Sequence, residues 1–192
     1  MRVIAGKYKG KKLFSVNSSS LKPSSGFLKE TLFNIINHHY KNFLVEQHFL
    51  EIFAGTGAIA LEAYSRGAKS ITLVEKQQDH CNVIKKNLIN IEHQLICNNF
   101  LTIAATVFKE PFSLVYLDPP YNLNLLPKAL AHLLQLNILS SQALIITESK
   151  INTFKLSDLN NYLENNLLNS LSLEITKTIG IKELYFLKYQ QN

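Results

Sequence analysis

Five nearly unbroken apolar runs, each followed by a segment of helical periodicity or by turn residues, constrain this chain more than any other feature. The runs cover residues 48–53, 70–75, 94–97, 112–118 and 143–148. Strands that are apolar at almost every position, rather than at alternate ones, are buried on both faces, which is the environment of a parallel sheet layered between helices. The intervening helices are expected at 58–66, 78–90, 100–108 and 125–136. A polar, Asn-rich helix at 156–168 and two β-rich stretches, 170–178 and 182–189, complete the chain, with Gly180 turning a closing antiparallel hairpin. At the other end, residues 2–5 and 12–16 read as two short strands joined through Gly6 and Gly10. Pro23 then precedes Ser24 and Ser25, which cap a helix over 26–40. The expected fold is α/β, with a seven-stranded, mostly parallel sheet, a C-terminal antiparallel hairpin and a small N-terminal hairpin and helix. Residues 1–40 read as a basic N-terminal appendage and 41–192 as the main domain.

Charge is distributed unevenly. Residues 1–29 hold Arg2, Lys7, Lys9, Lys11, Lys12, Lys22 and Lys29 and no acid, leaving 13 of the 20 basic residues against 14 acids elsewhere. A nearly neutral body with one basic end points to a localised polyanion contact, although a solvated tail has the same composition. No apolar run approaches the roughly 20 residues needed to span a bilayer. The N-terminus lacks the apolar core of a secretory signal. Cys81 and Cys97 match no metal-ligand spacing and read as separate, reduced thiols. A cytoplasmic monomer without a metal or a membrane contact is expected.

The first run ends in Glu51-Ile52-Phe53-Ala54-Gly55-Thr56-Gly57-Ala58. Gly55 and Gly57 let the backbone turn sharply and approach a ligand without a Cβ in the way. The helix that follows offers unpaired N–H groups. Glu75 ends the next strand, where an acid can accept hydrogen bonds from the ribose hydroxyls of an adenosine cofactor. The turn alone leaves a dinucleotide open, because Ala60 can fill the third small position of that motif. Glu51, ahead of the turn, better suits the amino group of a methionine.

The fourth run is followed at once by Asp118-Pro119-Pro120-Tyr121. The two prolines have no backbone donors, so the turn presents carbonyls and a carboxylate. Such a surface receives an NH₂ group. Acceptors at Asp118 and the Pro119 carbonyl would align an exocyclic amine and stabilise the partly positive nitrogen of its alkylation transition state. Tyr121 can stack on a base turned out of its helix. The chemistry expected is methyl transfer from S-adenosylmethionine to a nucleobase amine.

These residues resemble the bacterial RsmD-type methyltransferases, which act on guanine N2 of small-subunit ribosomal RNA. The resemblance spans the opening Arg2-Val3-Ile4-Ala5-Gly6-Lys7-Tyr8-Lys9-Gly10-Lys11-Lys12-Leu13, the segment Lys22-Pro23-Ser24-Ser25, and Lys29-Glu30-Thr31-Leu32-Phe33-Asn34. It continues through Phe53–Ala58, Val74-Glu75 and Asp118–Tyr121. It implies a Rossmann-like class I S-adenosylmethionine-dependent methyltransferase fold. It also implies that Glu51, Phe53, Gly55, Gly57 and Glu75 hold the methionine and ribose ends of the cofactor, and that Asn99 and Phe100 flank its adenine. Asn99 fits a helix N-cap equally well. Asp118, Pro119, Pro120 and Tyr121 would be catalytic. Arg2, Lys7, Lys9, Lys11, Lys12 and Lys22 would grip phosphates of ribosomal RNA or a small-subunit assembly intermediate. The family commonly has Arg, Asp and Arg where this chain has Lys22, Gly26 and Phe27. Lys keeps phosphate attraction there but loses the bidentate fork. Other readings are an amino-methyltransferase acting on DNA or on a protein glutamine, a catalytically silent RNA-binding relative, and an NAD-dependent oxidoreductase, the last lacking a hydride-transfer partner.

Overall fold

The computed structural model describes residues 1–15, 26–41, 43–120 and 125–191. The apolar runs become β1 (His48–Ile52), β2 (Ser70–Glu75), β3 (Gln94–Cys97), β4 (Phe112–Leu117) and β5 (Leu139–Lys150). The hairpin is β6 (Leu171–Ile179) and β7 (Lys182–Tyr189). Together they form a seven-stranded sheet in the order β3-β2-β1-β4-β5-β7-β6. Pairing is parallel along β1–β2–β3 and β4–β5 and antiparallel along β5–β7–β6. The expected α/β sheet with its C-terminal hairpin is therefore present. The helices are α1 (Gly26–His39), α2 (Ala58–Ser65), α3 (Gln78–Asn87), α4 (Leu126–Gln135) and the short α5 (Asn165–Leu168). No helix among the described residues is long and apolar enough to cross a membrane.

The chain divides into two compact units, Met1–Asn99 and Phe100–Asn192. In the first, Phe49, Leu50 and Ile52 of β1 and Leu73 and Val74 of β2 are buried with Leu32, Phe33 and Ile36 of α1. In the second, Leu114, Val115 and Leu117 of β4 and Leu144, Ile145 and Ile146 of β5 are buried with Leu130 and Leu133 of α4 and Phe186 of β7.

Four expectations need correction. The N-terminal strand pair contracts to one antiparallel bridge, Arg2 with Lys12, flanked by Val3 N donating to Lys11 O at 3.0 Å and Leu13 N to Met1 O at 3.0 Å. The ladder stops because the N–H groups of Ile4 and Ala5 turn to the Glu62 carboxylate instead, at 2.8 and 3.0 Å. The helix expected at 100–108 is two 3₁₀ turns, Phe100–Thr102 and Ala105–Val107. Thr102, Ile103, Thr106 and Val107 lose side-chain freedom in a helix and disfavour its extension. The Asn-rich segment likewise splits, into a 3₁₀ turn, Leu156–Asn161, and α5. Its polar side chains bind nearby backbone instead of leaving it to a helix, as Asp158 does for Lys155 N at 2.8 Å. Finally, Cys81 and Cys97 are joined in a disulfide, with Cα atoms 6.2 Å apart. Strand β3 runs parallel to β2 and pairs Cys97 with Glu75, so it ends at the edge where α3 begins. The β–α–β crossover thus brings the two sulfurs to one place.

The N-terminal segment is fastened by one carboxylate. Glu62 of α2 is fully buried and accepts from Ile4 N and Ala5 N, from Lys29 Nζ at 2.9 Å and from Arg66 Nε at 2.8 Å. Lys29, also fully buried, donates to Arg2 O at 2.6 Å. Of the six N-terminal cations among the described residues, Lys29 is therefore internal. Ser65 extends the seam: its carbonyl takes Lys7 N at 2.7 Å, and its hydroxyl takes Tyr8 N at 2.9 Å and donates to Ala5 O at 2.5 Å. A Cβ on Gly6, whose φ is +81°, would stand 1.7 Å from Ser65 O. Further on, Asn87 of α3 clasps the Phe14 backbone, accepting from Phe14 N at 2.7 Å, and donates to Thr56 O at 2.9 Å.

Burial alone would raise the Glu62 carboxyl, but hydrogen bonds from Ile4, Lys29 and Arg66 and the Lys29 charge outweigh it and hold it below its usual range. A group lowered in this way stabilises the fold above its unfolded value of 4.5 and loses that contribution as pH falls through the folded value. Stability is expected to drop below about pH 4.5, and Glu62→Gln to remove that part of the acid loss in pH-dependent urea unfolding. Lys29→Met leaves a buried carboxylate short of a partner and is expected to cost about 3–5 kcal/mol in the same assay.

Candidate functional site

In the first unit, β1 ends in a turn whose backbone is left-handed at Phe53 (φ 62°), Gly55 (φ 57°) and Gly57 (φ 70°). A side chain at Gly57 would be tight as well as strained, since a Cβ would meet Leu73 Cδ2 at 3.0 Å and the leucine would have to give way. Non-glycine residues occupy this region at a cost of order 1–3 kcal/mol, so the positive φ of Phe53 marks a turn imposed by its surroundings. The turn delivers the chain to the N-terminus of α2. There Glu51, 4% exposed, accepts Ala60 N at 2.8 Å and so satisfies one of the helix's orphan donors.

Glu75, at the end of β2, is bound to the turn itself. One carboxylate oxygen accepts Gly55 N at 2.9 Å and the other accepts Gln77 N at 2.8 Å. Each oxygen retains further lone-pair capacity. His80 lies alongside, its buried Nδ1 3.6 Å from Glu75 Oε1 and without a hydrogen-bond partner among the described residues. The left-handed turn, a carboxylate held at the strand end and an orphaned imidazole nitrogen beside it fit the ribose of an adenosine group. His80 carries no motif in the sequence and emerges only from the crossover. Asn99 is exposed, with its N–H accepted by Asn98 Oδ1 at 2.7 Å. In the basic segment Arg2, Lys7, Lys9 and Lys12 are exposed and Lys11 is half-buried. The ammonium groups of Lys7 and Lys11 sit 5.5 and 5.7 Å from the centroid of the Tyr8 ring, which stacks on Tyr64 at 6.1 Å. Lys22 lies outside the described residues.

In the second unit, Phe100 is buried and meets the His132 ring edge-on at 5.3 Å. Asp118, Pro119 and Pro120 leave the carboxyl end of β4, and Tyr121 lies outside the described residues. Pro119 and Pro120 border a small cavity of about 70 Å³, lined also by Glu148, Ser149, Lys150 and Phe154. Although Asp118 as a residue keeps some solvent contact, its carboxyl is pushed up to about 7. Burial is the largest cause, the Glu148 carboxylate adds to it and the Lys182 ammonium opposes it. Glu148 is fully buried, accepts the Tyr116 hydroxyl at 3.1 Å and is ion-paired with Lys182. Sequence reading assigns no role to this trio. Its one trace is the acid, Glu148, that ends the run 143–148.

The sheet order and the glycine turn define the class: a Rossmann-like, S-adenosylmethionine-dependent methyltransferase fold. A solved structure described as a putative methyltransferase from Escherichia coli is similar with a TM-score of 0.79 and 28% identity, over 99% of this chain and 98% of that one. Residues 1–167 match the family described as conserved hypothetical protein 95. Ribosomal RNA small subunit methyltransferase D of Haemophilus influenzae is 35% identical over 156 residues, covering 78% of this chain and 79% of that protein. Its namesake in Escherichia coli K12 is 32% identical over 154 residues, covering 79% and 75%. The chain belongs to this RsmD-type family, as its signatures imply.

Because the folded Asp118 value lies above the unfolded 3.8, the stability linked to it is full below that pH and is lost as pH rises through about 7. Asp118→Asn escapes this loss. Its melting temperature relative to the parent is expected to climb between pH 4 and 7 and level off above, as read by thermal denaturation across that range.

Proposed function

We propose that this protein transfers a methyl group from S-adenosylmethionine to the exocyclic N2 of a guanine in small-subunit (16S) ribosomal RNA. The observation that carries the reading is the Asp118 carboxyl, desolvated at the end of β4 beside two prolines that donate nothing. The names of the family's relatives support a ribosomal RNA substrate. The cofactor, when bound, supplies an electrophilic methyl carbon on a sulfonium. Glu75, with His80 beside it, would take the ribose, and the turn through Phe53, Gly55 and Gly57 would bring backbone close to the cofactor. Glu51 would face the methionine end, and Asn99 and Phe100 the adenine.

Asp118, ionised, accepts a hydrogen bond from the guanine NH₂ and the Pro119 carbonyl accepts another, turning the nitrogen lone pair toward the methyl. With the donor bound, the aligned nitrogen would take the methyl carbon as sulfur leaves with its bonding pair, and the proton then shed by the nitrogen would pass to the Asp118 carboxylate or to water. Alignment of this kind is worth up to about 7–11 kcal/mol in favourable cases. Pro120 stiffens the turn and Tyr121 offers a ring for the extruded base. Residues 1–40 act as the RNA-gripping part and 41–192 as the methyltransferase domain, with Arg2, Lys7, Lys9, Lys11, Lys12 and Lys22 toward phosphate. The Lys7–Tyr8–Lys11 cluster supports this, since it pairs cations with an aromatic face.

Asp118→Ala is expected to lower methyl transfer to ribosomal RNA at least about a hundredfold while S-adenosylmethionine binding, followed by calorimetry, persists. Full activity in that variant overturns the assignment. Replacing Lys7, Lys9, Lys11 and Lys12 by Gln is expected to flatten the log–log salt dependence of RNA binding by about 0.7 for each phosphate no longer neutralised. An unchanged slope returns the segment to a solubility role.

A further inference from the structure

Three strands of the second unit bring charged and polar side chains to the sheet face that Asp118 shares. Side chains two residues apart on a strand leave on the same face. Tyr116 and Asp118 are so related on β4 and its continuation. The β4–β5 register pairs Leu117 with Thr147, whose hydroxyl donates to Leu117 O at 3.1 Å, and so sets Glu148 level with Asp118. The β5–β7 register pairs Glu148 with Leu184, and Lys182 stands two residues from Leu184 on the same face. The contacts follow this geometry: Tyr116 Oη donates to Glu148 Oε2 at 3.1 Å, and Lys182 Nζ pairs with Glu148 Oε1. Glu148 has no exposed surface and the Lys182 side chain is 19% exposed. Lysines and glutamates are seldom buried in this way without a partner or a task.

A hydrophobic residue at position 148 would pack the same sheet face without the desolvation cost of an ion pair, so stability does not explain the arrangement. Its position does. We propose that Tyr116, Glu148 and Lys182 form a positioning relay for the methyl-transfer step, whose balance of one carboxylate against one ammonium decides whether the Asp118 carboxyl meets the substrate amine as an acceptor. Tyr116 orients Glu148. Glu148 opposes ionisation of Asp118, and Lys182, carried in by the C-terminal hairpin, favours it. Among the described residues of this unit, the titratable groups that register and cavity bring toward Asp118 include Tyr116 on its own strand, Glu148 on β5, Lys182 on β7, and Lys150 on the rim of the cavity beside Pro119 and Pro120. The inference rests on Asp118 being the acceptor, and its test separates the two.

The Asp118 carboxyl is titrated by ¹³C NMR, assigned against Asp118→Asn, in the parent protein and in Glu148→Gln, Lys182→Met and the double variant. The pH profile of methyl transfer to ribosomal RNA is measured alongside. Glu148→Gln is expected to move the Asp118 midpoint down, and Lys182→Met to move it up, each by about one pH unit or more. The double variant returns close to the parent midpoint. The acid limb of the activity profile follows, so that at pH 6 the two single variants depart from the parent in opposite directions by up to about tenfold. Should Lys182→Met not fold, Lys182→Arg, which retains the charge, is expected to keep the parent midpoint while Glu148→Gln still moves it. A role in packing alone lowers activity in both variants without opposed midpoints, and that result overturns the relay. Opposed midpoints with an unmoved activity profile overturn the acceptor role of Asp118 instead, and with it the relay's part in the reaction.

Discussion

A single buried carboxylate, Glu62, organises the first unit. Placed in the middle of α2, it takes two backbone N–H groups from the N-terminal segment, one cation from α1 and one from Arg66, the residue that caps the end of α2. A charge enclosed without partners is far costlier than the same charge enclosed with four donors. The carboxylate is therefore tolerable only when α1, α2 and residues 2–5 are assembled together, and each of them is held in place by the need to satisfy it. Since α2 also begins at the glycine turn, the anchoring of the basic segment and the geometry of the turn depend on one helix.

The second unit shows the opposite use of burial. Glu62 is surrounded by donors and held ionised, whereas Asp118, at the end of β4, is pushed up to about 7 by burial and by the Glu148 carboxylate. The first arrangement contributes stability and the second removes some. Groups kept in a costly state concentrate where chemistry is done, because the same environment that penalises the charge strengthens its interaction with a substrate dipole.

The parallel core is legible in the sequence because a strand buried on both faces must be apolar along its length, and β1 to β4 emerge within a residue of their apolar runs. The glycine turn and the Asp-Pro-Pro turn are legible for the same local reason, since left-handed backbone and missing donors are properties of residue types. What is hidden depends on register. Lys182 and Glu148 are 34 residues apart and meet only through antiparallel pairing. Cys81 and Cys97 meet only through a crossover, and Lys29 gives no sign that it is internal rather than part of the basic surface. Residues 100–108 and 156–168 have enough apolar and polar alternation for a helix. Their β-branched and Asn-rich content, however, favours single turns over continued ones.

The seam between residues 5–8 and Ser65 has a consequence for how such a surface can change over generations. Lys7, Lys9 and Lys12 point outward and can be exchanged for other residues at little cost to the fold. Gly6 has no such freedom: any side chain there would collide with the carbonyl of Ser65. The charge and chemistry of the outer face can therefore drift, while the hook that fastens it to α2 stays fixed.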